Sequence, residues 1–235
     1  MAMTLDDLVR DLRTAAGETL TAVVLYGSAA GRDYHGAGSD QNVLVLVTDA
    51  TVSALRALAP VVRKWVGVGN PPPLLLTVEE WRQRADVFAI EYADVLERHR
   101  VLHGTLPTDG IVVQPEHLRV QIEGEAMGKL LRFRRGVMSA GDDPNRMRAL
   151  VDEAFPTMQA LLRAVLHLHG EAATRPTEDV VTRAAELAGF RAAPILAVLA
   201  QRKGTSVLKD DQLAGVIEGY LEELETLVRY ADQRQ

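Results

Sequence analysis

A chain of 235 residues with 47% hydrophobic and 25% charged content can bury the core of one or two globular domains. Its net charge of −6 carries no nucleic-acid signal, and the absence of cysteine excludes disulfides and thiolate metal sites. The acidic start, Met1-Ala2-Met3-Thr4-Leu5-Asp6-Asp7, lacks a signal-peptide core and no apolar run is long enough for a bilayer, so the expected compartment is the cytoplasm, with no membrane partner.

Leu5, Leu8, Val9 and Leu12 fall at helical spacing, with Thr4 placed to cap the helix and Gly17 to end it. Ala22 to Tyr26 is an apolar run and predicts a buried strand that breaks at Gly27-Ser28. A second strand is expected to open at Asp40 and run to Val47. Ser53 to Trp65 has helical periodicity, and Asn70-Pro71-Pro72-Pro73 stops it and forces an extended backbone into a third strand, Leu74 to Thr77. Thr77 can cap a short helix containing Glu79, Glu80 and Trp81. Val87 to Val95 predicts a fourth strand, in which Glu91 and Asp94, three apart, face opposite ways. Arg100 to Gly104 predicts a short closing strand.

Thr105 to Pro115, with Pro107, Gly110 and Pro115, is the expected boundary between units spanning 1–110 and 111–235. Only helical periods follow it. Leu118, Ile122, Leu130, Leu131 and Val137 mark a long helix ended by Gly141-Asp142-Asp143-Pro144. Further helices are expected over Met147 to His169, Thr177 to Leu187, Ala193 to Lys203 and Asp211 to Tyr230. The predicted fold class is α/β with a mixed sheet, followed by an all-α helical bundle.

Chemistry concentrates at Leu25-Tyr26-Gly27-Ser28 and Gly38-Ser39-Asp40-Gln41-Asn42. Glycine at a strand end lets backbone N–H groups approach a ligand, and the Ser28 hydroxyl can bind an anion. Asp40 and Asn42, two apart, share a face of the second strand. The pattern sets a phosphate cradle beside a metal-binding carboxylate.

These residues resemble the signature of the DNA polymerase β nucleotidyltransferase superfamily, in particular its small kanamycin-nucleotidyltransferase-like and MNT-like members. That signature is a strand, Gly-Ser, a short helix, then Asp-x-Asp opening the next strand. The resemblance covers roughly the first half of the chain and includes its end, Glu97-Arg98-His99-Arg100-Val101-Leu102-His103-Gly104. It implies that Gly27 and Ser28 hold the phosphates of a nucleoside triphosphate, with ATP the expected one, and that Asp40 is a Mg2+ ligand. A third carboxylate is expected from a neighbouring strand: Glu91 is the first candidate and Asp94 the second. Arg32-Asp33 is expected at a surface helix end, from which Arg32 could reach a phosphate on the same reading.

This chain departs from the signature at Asn42, where the second aspartate is expected. An amide oxygen brings a dipole to the cation instead of a unit charge, and a second ion loses a bridging anion. Two functions therefore stand side by side. One is Mg2+-dependent transfer of a nucleoside monophosphate to a hydroxyl of a small molecule or protein. The other is a catalytically silent relative that binds nucleotide as a regulator or scaffold.

In the first bundle helix Glu125, Lys129 and Arg132 are spaced four and three and share a face. They form either a solvated ion-pair ladder or, with Lys129 and Arg132 on phosphates and Glu125 as general base, one wall of the nucleotide site. The six histidines give no ligand set. His167 and His169 face apart on a helix, and His99 and His103 straddle strand and turn.

Overall fold

A computed structural model describes residues 3–30, without the Ser28 side chain, and 41–234. The chain divides into two compact units, Met1–Val113 and Gln114–Gln235.

The first unit opens with helix α1 (Leu5–Ala16), closed at its start by a reciprocal bond pair. The Thr4 hydroxyl accepts from the Asp7 N–H at 3.1 Å, and Asp7 Oδ2 accepts from the Thr4 N–H at 3.1 Å. Strand β1 (Leu20–Tyr26) follows, then a one-turn 3-10 segment (Gly27–Ala30) and strand β2 (Asn42–Val47). Helix α2 (Val52–Gly67) leads to β3 (Leu74–Thr77) and to α3 (Val78–Gln83), which starts with a second capping box between Thr77 and Glu80. Helix α4 (Ala89–Glu97) runs into β4 (His99–Gly104).

The sheet order is β3-β2-β1-β4. β1 is antiparallel to both neighbours, β2 is parallel to β3, and the sheet is mixed. Alternation along the strands sorts the side chains onto two faces. Val23, Leu25, Val43, Val45 and Val47 pack with Leu8, Leu12, Leu58 and Trp65, the buried side of α1 and α2. Ala22, Val24, Leu44 and Leu46 pack with Trp81, Tyr92 and Val95, the buried side of α3 and α4.

The fourth strand expected over Val87 to Val95 is a correction. Val87 and Phe88 lie in an exposed turn, where both amides donate to the Arg84 carbonyl at 3.1 Å, and the rest of the segment is helix α4. Ala89, Tyr92 and Val95 are fully buried, a three-residue spacing that belongs to one helix face. The β-branched and aromatic content of the segment favours a strand, and packing against Trp81 holds it as a helix instead. Tyr92 stacks on Trp81 with ring centroids 4.1 Å apart and 14° between planes.

The described secondary structure of the second unit is all helix: α5 (Pro115–Ala140), α6 (Pro144–Leu168), α7 (Thr177–Ala188), α8 (Ala193–Arg202) and α9 (Asp210–Gln233). α5 lies against α6 and α9, and Phe133 stacks on Tyr220 at 5.0 Å. Glu223 is buried in this core and accepts from Arg191 Nε at 2.7 Å and from the Arg191 N–H at 3.1 Å. That arrangement satisfies a carboxylate that burial alone penalises. Among the described residues no helix is long and apolar enough to cross a membrane.

Candidate functional site

The end of the sheet at which β1 stops is where the sequence places the chemistry. Tyr26, the last residue of β1, pairs with Asn42 on one side and with His99 on the other. Directly opposed residues of antiparallel strands share a face. Tyr26 packs with the cluster under α3 and α4, so Asn42, Tyr26 and His99 form a row across β2, β1 and β4 on the face that α4 covers.

Gly27 turns the chain away from this row. Its φ is +73°, a left-handed value that a side chain opposes, and a Cβ built there stands 3.5 Å from Asn42 Nδ2. The glycine and the asparagine amide are thus adjacent, although fifteen residues separate them in sequence. The Gly27 N–H donates to the Arg98 carbonyl at 3.2 Å, which ties the turn to the α4–β4 junction. The N–H groups that this turn offers a ligand are therefore those after Gly27. Gly27→Ala is expected to cost about 1–2 kcal/mol of stability, through φ rather than through steric contact. Chemical denaturation compared with wild type checks it.

His99 was absent from the sequence candidates, and only strand register reveals it. Its Nδ1 lies 2.7 Å from the Val95 carbonyl. A carbonyl only accepts, so Nδ1 carries a proton and donates to it, which fixes the orientation of the ring in the row.

Glu91 stands in the first turn of α4, partly buried, and Asp94 is 6% exposed one turn later. On a helix, residues three apart lie about 60° from each other around the axis. The expectation that these two acids face opposite ways fails with the strand it rested on. Both belong to the helix that covers the Asn42 face. Burial pushes the Tyr92 phenol up to about 12, so it stays protonated and donates to the Glu80 carbonyl at 3.0 Å. This bond joins α4 to α3.

The remaining candidates fall as follows. Ser28 lies in the 3-10 turn after β1. Arg32 and Asp40 lie outside the described residues. Lys129, on α5, is ion-paired with Glu125 one turn earlier, and it lines a cavity of about 500 Å³ between α5, α6 and α9 together with Arg132. Among the described residues no three acidic or histidine side chains gather closely enough to hold a metal ion. Asn42 contributes a neutral amide, so the described donors alone do not fit Mg2+; a site there needs the carboxylate of Asp40.

No protein-family model matches the sequence, and no curated protein matches it. Among solved structures, spectinomycin adenyltransferase AAD(9) from Enterococcus faecialis, solved with ATP and spectinomycin, is similar with a TM-score of 0.61 at 13% sequence identity. The match covers 95% of this chain and 99% of that one, sheet and helices together. The chain has a nucleotidyltransferase-like fold, a mixed sheet with its helices followed by an all-α bundle.

Proposed function

We propose that the protein transfers a nucleoside monophosphate from ATP to a hydroxyl of a small molecule, with Mg2+ held by Asp40 and Asn42. The observation that carries this reading is the apposition of Gly27 and Asn42 at the sheet end covered by α4. The fold on which it sits is shared with an adenyltransferase whose structure holds ATP and spectinomycin. In this reading the turn after Gly27 receives the triphosphate, and Glu91 or Asp94 supplies a further carboxylate from α4. The acceptor oxygen would bond to the α-phosphorus as its O–H proton passes to a carboxylate or to water and the bond to pyrophosphate breaks; Mg2+, if held by Asp40 and Asn42, would supply neutralisation of the phosphate charge.

A second reading is favoured by Asn42 itself. A site with one carboxylate fewer still binds a nucleotide with a single ion, whereas two-metal chemistry loses its bridging anion. The protein then works as a nucleotide-binding regulator. Incubation with Mg2+, α-labelled ATP and a panel of hydroxylated acceptors, spectinomycin first, separates the two. Transfer predicts pyrophosphate release, abolished by Asp40→Ala and weakened by Asn42→Ala. ATP binding with no release across the panel selects the second reading, and release that survives Asp40→Ala removes Asp40 from the site.

A further inference from the structure

Helix α5 is apolar on two opposite faces. Leu118, Ile122, Leu130 and Phe133 are buried on the side of α6 and α9. On the other side, Val120, Met127, Leu131 and Met138 fall within about 20° of one line along the helix. They are 56%, 42%, 45% and 77% exposed. A helix packed on one side ordinarily presents polar residues on the other. This outer stripe runs about 27 Å, at 1.5 Å per residue.

Its spacing is a heptad seam. Positions 120, 124, 127, 131, 134 and 138 alternate steps of four and three, with Gly124 and Arg134 filling the two sites between the apolar residues. Gly124 serves no packing in its own chain, since a Cβ there meets nothing within 4 Å; at Gly136, by contrast, a Cβ would lie 2.3 Å from Leu150. Gly128, off the seam, is equally open, so what Gly124 adds is the absence of a side chain at a seam position.

Run antiparallel against itself, the seam is complementary. Val120 meets Met138 of the second copy, Met127 meets Leu131, and Gly124 leaves room for Arg134. Glu123 lies on the same flank as Arg134, so the pairing also brings these opposite charges together. Arg134 donates to Glu225 at 2.7 Å yet stays 45% exposed, and Glu123, bound to Arg119, stays 39% exposed. Parallel pairing would instead set Arg134 against Arg134, a repulsive layer. We propose that two copies of this chain associate through an antiparallel, two-fold α5–α5 pair.

The chain has no cysteine, so introduced thiols are the only ones present. Sedimentation equilibrium at micromolar concentration is expected to give twice the chain mass for wild type and the single-chain mass for Leu131→Asp, with unchanged circular dichroism. Mild oxidation of the double variant Val120→Cys, Met138→Cys is expected to give a covalent dimer, because those positions face each other across the pair. Either single variant stays uncrosslinked, since in this register each position lies about 27 Å along the axis from its own copy. A wild type of single-chain mass at these concentrations overturns the dimer. Crosslinking of Val120→Cys alone overturns the antiparallel register.

Discussion

Trp81→Ala is expected to destabilise the first unit by about 3–5 kcal/mol, the range for truncating a buried aromatic side chain. Trp81 is fully buried, its indole N–H donates to the Pro107 carbonyl at 2.7 Å, and its ring stacks on Tyr92. Removing it opens a cavity between α3 and α4 and leaves the Pro107 carbonyl without that donor. Total stabilities are commonly about 5–15 kcal/mol, so a loss of this size takes a large share. On the proposed site the consequence reaches nucleotide binding, because Glu91 and Asp94 lie on α4 and the Trp81–Tyr92 stack packs that helix against α3. Urea denaturation checks the stability. Nucleotide affinity, measured below the variant's unfolding transition, should fall with it.

Asn42→Asp is expected to tighten Mg2+ binding by tenfold or more, about 1.4 kcal/mol per factor of ten. Two unit charges about 4 Å apart attract by on the order of 4 kcal/mol at an effective dielectric of about 20, a divalent cation doubles that, and repulsion from Asp40 and loss of hydration offset much of the gain. Without metal the two carboxylates repel and one is pushed to hold its proton, so the metal-free variant should melt below wild type. Added Mg2+ should recover the loss by binding only the folded state. If the silent reading is correct, the same substitution should raise transfer from undetectable to measurable. Thermal melts of both proteins with and without Mg2+ give the result. A Mg2+ shift in neither protein removes the metal site.

The elements legible in the sequence were those fixed by local chemistry. Thr4 and Thr77 start helices through hydroxyls that accept N–H groups three residues on, and the first turn of each carries the reciprocal acid. Pro71, Pro72 and Pro73 force the extended backbone that leads into β3. The apolar runs of β1 and β2 were readable as buried strands because nearly every position is apolar on both faces.

What was not legible depends on partners distant in sequence. Residues 87–95 carry β-forming side chains, and nothing within the segment says that Tyr92 has Trp81 to stack on. Tyr26 and His99 join Asn42 only through strand register, which no single segment encodes. Gly27 was legible as a turn, but the engagement of its N–H by Arg98 was not. The outer stripe of α5 was hidden because Leu130 and Leu131 are adjacent in sequence and equally apolar, yet about 100° apart around the helix, so one is buried and the other exposed.

The central claim is a nucleotide site at the Gly27–Asn42 end of the sheet, and calorimetric titration of the wild-type protein with ATP in Mg2+ tests it most directly. The expected result is saturable binding to one site per chain, weakened by Gly27→Ala and lost in Asp40→Ala at a temperature where both variants remain folded. No heat of binding in wild type with ATP or any other nucleoside triphosphate, in Mg2+ or Mn2+, would contradict it.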